Sequence, residues 1–221
     1  MFELDHLFVC TDHGAPEANL LCEFGLTEGE PNVHPGQGTA NRRFFFRNAM
    51  LEFVWVHDAV EAESELARPL QLGPRWSQRN TTASPFGVCL RPIQAGSNEV
   101  PFPAWVYRPH YLPAPLVIHV GENSPLAEPL WFYLPFGRRP DDPARPKRPP
   151  LDHPAGLQAM TQVRIASPEA RHASVVANAV VLTGAVHLAE DTEHRMEITF
   201  DGGIQGRIQD FRPKLPLLFR W

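Results

Sequence analysis

The sequence predicts an α+β fold in which short strands outnumber a few helices. Three observations carry this. The chain holds 24 prolines in 221 residues, about twice the usual share, which disfavours a helical bundle and favours short strands joined by stiff loops. Residues 2–10 alternate with a period of two, and further short apolar runs are bounded by Pro or Gly, as strands require. The strand, helix, strand order that opens the chain also returns near its end. With 43% hydrophobic residues, the chain can build one large domain or two small modules on a shared core.

Residues 2–10 alternate, with Phe2, Leu4, His6, Phe8 and Cys10 on one face and Glu3, Asp5, Leu7 and Val9 on the other, which places His6 mid-strand among apolar neighbours. Pro16 starts a short helix whose Leu20, Leu21 and Phe24 face a core and which Gly25 ends. The stretch EGEPNVHPGQGTANRR reads as loop, because Pro31, Pro35, Gly36 and Gly38 interrupt it. Phe44 then begins a buried strand, Asn48 and Ala49 turn, and residues 50–56 form a strand with Glu52 on the face of Val54 and Val56. Residues 58–83 read as a crossover with one short helix. Further strands are expected at 86–91, 104–108, 115–120 and 129–134, each bounded by Pro or Gly. The run from Arg138 to Pro150 reads as an exposed, polyproline-like connector. A strand over 158–165 follows, then a helix with Ser167 as N-cap and Pro168 at its first position, running to about Val181. Residues 195–200 and 215–221 are the closing strands, with Asp201-Gly202-Gly203 as the turn.

Bulk charge narrows the partners. The formal net charge is −5 with a pI near 6.0, and no basic stripe is interleaved with aromatics, so a nucleic acid is excluded as the expected ligand. No apolar run reaches the roughly 18 residues that span a bilayer, and MFELDHLFVC lacks the basic and apolar regions of a secretory signal. Three cysteines without a CxxC pair fit a reducing compartment. The expectation is a cytoplasmic protein that binds a small molecule. No nucleophile elbow, phosphate-binding glycine loop or zinc-finger spacing is present.

Side by side, Asp5-His6-Leu7, helix and Leu51-Glu52-Phe53 parallel Thr161-Gln162-Val163, helix and Met196-Glu197-Ile198. The chain then divides into a first module (1–57), a middle strand-rich segment that is itself a possible second module (58–137), the Pro-rich connector (138–152) and a C-terminal module (153–221), all in one domain. Paired modules of this kind leave a cleft toward which His6, Glu52, Gln162 and Glu197 would point. A carboxylate on an apolar strand face needs a metal, an arginine or solvent. The glycines of the HPGQGTANR loop suit close backbone approach to a ligand, with His34, Gly36, Gly38, Thr39 and Asn41 as candidate substrate contacts.

LDHLFVCT, the HPGQGTANR loop with FFFRN, LEFVWV and, at the C-terminus, MEITFDGG and LPLLFRW resemble the opening and closing segments of glyoxalase-like proteins of the vicinal oxygen chelate superfamily. That resemblance implies paired βαβββ modules forming curved mixed sheets around a cleft, and a homodimer. It implies a divalent metal ion (Mg, Mn, Ni, Zn or Fe(II)) on His6, Glu52, Gln162 and Glu197, with Glu52 or Glu197 leaving the metal to act as base, although a metal-free protein fits as well. The implied activity is that of a lyase or isomerase on a small vicinal-oxygen metabolite. Two alternatives stay open: a binding module that sequesters drugs between aromatics such as Trp55, Trp105, Trp131 and Phe132, and an extradiol-type dioxygenase, which Gln162 counts against. The sequence departs from the pattern at PFGVCLRP, where Gly87 stands at a ligand position. If residues 85–135 are the true partner module, His119 is the nearest substitute.

Overall fold

The structure, a computed structural model, describes residues 1–94 and 99–221. Strand β1 (Phe2–Cys10) lies at the centre of a mixed sheet, since both of its faces are apolar and both of its edges are paired. It runs parallel to β4 (Met50–Val56) on one side and antiparallel to β5 (Phe86–Pro92) on the other. Beyond β4 lie β3 (Thr39–Phe45) and β2 (Asn32–His34), and beyond β5 lie β8 (Leu130–Tyr133), β7 (Ile118–Gly121) and β6 (Ala104–Tyr107). The order β2-β3-β4-β1-β5-β8-β7-β6 therefore repeats one arrangement on each side of the β1–β5 pair, because β5 is parallel to β8 as β1 is to β4.

Two of the expected boundaries shift. The stretch read as loop forms the β2–β3 hairpin, with His34 directly opposite Thr39, so the glycines supply only its turn. Gly36 and Gly38 both take positive φ there, and a side chain on Gly38 would collide with the Asp58 carbonyl and the Ala62 amide. The helix expected from Ser167 is instead a 3-10 turn over Ala170–His172, followed by a helix capped by Ser174, whose hydroxyl accepts from the Ala177 amide at 3.1 Å.

Helix α1 (Ala18–Phe24) follows β1 and ends on Gly25 in the left-handed conformation, as expected. The 58–83 crossover contains α2 (Ala59–Ala62), capped by Asp58, a 3-10 turn and α3 (Leu72–Ser77). The C-terminal segment builds a second sheet. It is made of β9 (Met160–Ser167), β10 (His187–Glu190), β11 (Arg195–Phe200), β12 (Ile208–Asp210) and β13 (Leu217–Arg220), in the order β10-β9-β11-β13-β12, with α4 (Val175–Leu182) between β9 and β10.

The expectation that the first and last modules face each other across a cleft is corrected by this topology. The partner of residues 2–56 within the first sheet is the segment 86–133. The C-terminal sheet packs on the other face: Leu7, Val9, Phe53, Val88 and Leu90 form one core with Val163, Ile165, Met196, Ile198 and Phe219. Asn48 joins the two like an extra strand residue, donating to the Met160 carbonyl at 2.7 Å and accepting from its amide at 2.9 Å. Glu128 does the same for α4, accepting from the Ser174 amide at 2.6 Å and its hydroxyl at 2.7 Å. No helix among the described residues is long and apolar enough to cross a membrane.

Candidate functional site

The face of the first sheet turned away from the C-terminal sheet encloses a cleft of about 170 Å³. Its lining includes His34 on β2 and Ile118 on β7, strands that would stand about 30 Å apart in a flat sheet, so the sheet curls around the space. Strand alternation decides what faces inward. From β1 come His6 and Phe8, from β4 Glu52 and Val54, from β7 Ile118 and Val120, and from β8 Leu130 and Phe132. The polar groups all belong to the β1–β4 side or to the segment over it, and the β5–β8 side is apolar.

His6 owes its orientation to a β-bulge. Leu4 opposes Leu90 and His6 opposes Cys89, which leaves Asp5 without a cross-strand partner. The extra residue re-aims the strand, and neighbours that would point to opposite faces meet instead, Asp5 Oδ1 lying 2.6 Å from His6 Nδ1. Buried Arg91 fixes Asp5 in turn: it donates to Asp5 Oδ2 at 3.1 Å, to Glu3 Oε1 at 2.9 Å and to the Asn48 carbonyl at 2.6 Å. Burial alone would raise the Asp5 pKa, but His6 and Arg91 outweigh it and hold the carboxyl below its ordinary value. Burial works against the His6 imidazolium, yet the Glu52 and Asp5 carboxylates outweigh burial and Arg91 and raise its pKa. With Nδ1 taken by Asp5, Nε2 is the open nitrogen of His6.

Glu52 is 7% exposed and lines the cleft; among the described residues no hydrogen bond reaches its carboxylate, whose charge acts on His6 and Arg43. Arg43 lies directly opposite in the β3–β4 register. Its Nε donates to the Glu30 carbonyl at 2.7 Å instead, and its guanidinium lies over the Phe45 ring, 5.2 Å from the centroid. A carboxylate on an apolar wall without a hydrogen-bond donor needs a counter-charge or the solvent of the cleft.

The hairpin adds a chain of hydrogen bonds at the cleft edge. Tyr111 Oη donates to Gln37 Oε1 at 3.0 Å, Gln37 Nε2 donates to Thr39 Oγ1 at 2.8 Å, and Thr39 Oγ1 lies 3.0 Å from His34 Nδ1. Burial lowers the His34 pKa, with Glu52 opposing and His6, Arg43 and His57 adding to the shift. Of the five residues expected to touch substrate, His34 and Thr39 line the cleft and the others do not. The Gly36 and Gly38 amides donate to Glu61 Oε2 at 2.8 and 3.2 Å, so that carboxylate occupies their donors. Asn41 is fully buried and accepts from the Asn32 amide at 2.9 Å.

The expected four-ligand set does not assemble. Gln162 is exposed on β9 and Glu197 sits on β11, both in the C-terminal sheet and outside the cleft. The Glu197 carboxylate is already held by Arg164 at 2.9 Å, Arg195 at 3.0 Å and Arg220 at 3.5 Å. On the β5–β8 side Gly87 offers no donor, and a Cβ there would collide with the Phe8 ring, its cross-strand neighbour. The matching β8 positions carry Leu130 and Phe132, and His119, on β7, is not among the lining residues. His6 and Glu52 are what remains of the implied chelate.

Asp5, His6 and Cys89 do bring ligand atoms within 4.8 Å of one another. Both Asp5 oxygens are engaged, by His6 and by the Arg91 guanidinium, so a cation already neutralises the pocket. Burial, with the Asp5 and Glu52 charges, pushes the Cys89 thiol well up. This group shares only His6 with the ligand set that the family resemblance implies, and that set, divided between two sheets, does not fit the implied metal.

Asp5, Arg91, Gln37 and Tyr111 are the residues that sequence reasoning missed. Asp5 was placed on the opposite face by strict alternation, and only the bulge reverses that. No family model matches the chain, and no curated protein matches it. Among solved structures, a hypothetical protein from Staphylococcus aureus is similar over 100% of this chain and 98% of its own, with a TM-score of 0.53 and 8% identity. At that identity the likeness shows the fold alone, mixed sheets with a few helices.

Proposed function

We propose that this protein is a glyoxalase-like enzyme of the lyase or isomerase class that moves a proton on a small 2-hydroxycarbonyl metabolite, without the four-ligand metal of that superfamily. Residues 2–56 and 86–133 act as its paired modules, a reading supported by the repeated strand arrangement on either side of the β1–β5 pair. The observation that carries the proposal is Glu52, a buried carboxylate with no donor, facing the same cleft as an imidazole whose other nitrogen is held by Asp5.

In this reading Glu52 is the general base and the His6 imidazolium, the form that the Glu52 and Asp5 carboxylates favour, is the general acid. Glu52 takes the proton from the carbon bearing the hydroxyl, and the electron pair of that C–H bond becomes the C=C bond of an enediol. The carbonyl oxygen takes the proton of His6 Nε2. In the return step Glu52 delivers its proton to the former carbonyl carbon, the other enediol O–H reprotonates His6, and the oxygens have exchanged roles. Asp5 and Arg91 are positioning residues that keep the His6 ring in place. A cleft of about 170 Å³ is below the roughly 300 Å³ at which drug-sized pockets begin, which favours a metabolite of a few carbons.

Proton NMR of hydroxyacetone in D2O with the purified protein tests this. Deuterium should enter the methylene position with the wild type, persist after EDTA treatment and vanish in Glu52→Gln. Exchange abolished by EDTA and restored by one metal equivalent per chain would overturn the metal-free reading. The apolar half of the cleft, with Phe8, Phe132 and Phe136, favours a second reading, a module that only binds. Ligand-induced shifts with no exchange would identify it.

A further inference from the structure

A chelating metal would hold two adjacent oxygens of its ligand, and a cleft without one must supply that recognition otherwise. We propose that His34 is the second oxygen-recognising group of the cleft: a neutral imidazole with its proton fixed on Nε2 by the Tyr111–Gln37–Thr39 relay, which together with His6 Nε2–H presents two N–H donors to the two vicinal oxygens of a 2-hydroxycarbonyl ligand. The inference rests on the acid and base reading of His6 and Glu52, and it assigns the ligand class to residues outside that pair.

The direction of the relay decides the tautomer. The Tyr111 hydroxyl lies in the segment between β6 and β7, and burial pushes its pKa up, so it is a protonated donor at ordinary pH. It donates to Gln37 Oε1 at 3.0 Å, which turns the Gln37 amide nitrogen toward Thr39 at 2.8 Å. Thr39 is fully buried and has one proton to give. His34 Nδ1, 3.0 Å away, is the acceptor within its reach among the described residues. With Nδ1 accepting, the ring proton belongs on Nε2. The reverse direction would leave the phenolic proton of Tyr111 without a partner, and an Nδ1–H aimed at Thr39 would leave the buried Thr39 proton without one. The direct opposition of His34 and Thr39 across the hairpin holds the last link.

His6 is oriented the other way round, with Nδ1–H given to the Asp5 carboxylate. Two imidazoles therefore line one wall, one held by an anion and able to carry charge, the other held by a hydroxyl donor and kept neutral. A neutral imidazole donor beside a carboxylate base is an established arrangement for polarising a carbonyl during enediol formation. Its partners in the ligand must be oxygen acceptors. A ligand with one oxygen leaves one donor unused.

The test uses 15N-labelled histidine in the full chain. In the wild type His34 should show a protonated Nε2 and an unprotonated Nδ1, and Thr39→Val should lose that fixed tautomer; Tyr111→Phe, which leaves the hairpin intact, should weaken it. Titration with hydroxyacetone and with acetone, which lacks the second oxygen, should give roughly a tenfold preference for hydroxyacetone. The preference should disappear in His34→Phe and return in His34→Gln, whose amide restores an N–H donor. An Nδ1-protonated His34, or a preference unchanged in His34→Phe, would overturn the assignment while leaving deuterium exchange untouched. A preference that survives without any exchange in the wild type would instead sink the acid and base reading and leave His34 in place.

Discussion

The two sides of the first sheet share a pairing scheme and differ in what they show the cleft. On one side β1 and β4 present His6 and Glu52, and on the other β5 and β8 present Gly87, Leu130 and Phe132. The outward faces are alike, with Leu7, Val9 and Phe53 matched by Val88, Leu90 and Trp131 in one core. Main-chain pairing and the outer apolar face are enough to fix the strands, so the inner face can differ freely. Phe8 makes the difference physical: its ring lies where a side chain on Gly87 would be.

The largest effect should come from the polar side. Glu52→Gln is expected to lower deuterium exchange about 10²- to 10⁴-fold, the range for a lost general base, and to lower the His6 pKa, because the largest charge that raises it is removed. Exchange rates and an NMR pH titration of the His6 ring on the same preparations check both. A His6 titration unmoved in Glu52→Gln would mean that the two groups do not act together in the cleft.

Arg91→Leu should cost about 3–5 kcal/mol, since it strands the Glu3 and Asp5 carboxylates around a buried site. Arg171, ion-paired with Glu190 at the surface, supplies the contrast, and Arg171→Leu should cost under about 1 kcal/mol. Equal losses in urea denaturation would remove the claim that Arg91 holds the His6 dyad. Gly87→Ala comes next, at about 1–3 kcal/mol from overpacking against Phe8. In Phe8→Leu the same glycine substitution should cost measurably less, a coupling expected only of residues in contact.

Much of this contrast is written in the sequence, though not all of it in readable form. Residues 2–10 and 50–56 read as strands, so β1 and β4 follow from the sequence pattern, whereas the face that His6 takes depends on the bulge at Asp5. Gly87 was visible as a gap in the second half. Period two cannot show which distant strands share a sheet, and the likeness of the 1–57 and 153–221 segments pointed to a pairing that the 86–133 strands in fact make. Gln162 and Glu197 were placed in the cleft by that mispairing, whereas Arg164, Arg195 and Arg220 show an ordinary solvated ion cluster. The Asp5 bulge and the Tyr111 relay depend on register and on a loop folding over the hairpin, which local pattern does not encode.

The smallest effect sets the cleft histidines against the one at the joint of the two sheets. His153 Nδ1 accepts from the Thr27 amide at 3.0 Å, so the ring proton sits on Nε2 and is given to the Phe45 carbonyl at 2.9 Å. Protonation would aim a second N–H at the Thr27 amide. Burial lowers the His153 pKa from 6.5, and the Phe45 carbonyl and Asp152 offset it only in part. Between the folded and unfolded values the unfolded chain binds more protons, so stability rises with pH there. The contribution of the neutral ring is complete above about pH 6.5, the unfolded value, and is lost as pH falls toward the folded value. His34, also lowered, titrates with the same sign, so the reading is a difference: the loss in urea midpoint between about pH 7.5 and about pH 5.5 should be smaller in His153→Phe than in the wild type. An equal loss in both would take the acid sensitivity away from the joint and leave it with the other histidines of lowered pKa, His34, His119 and His194.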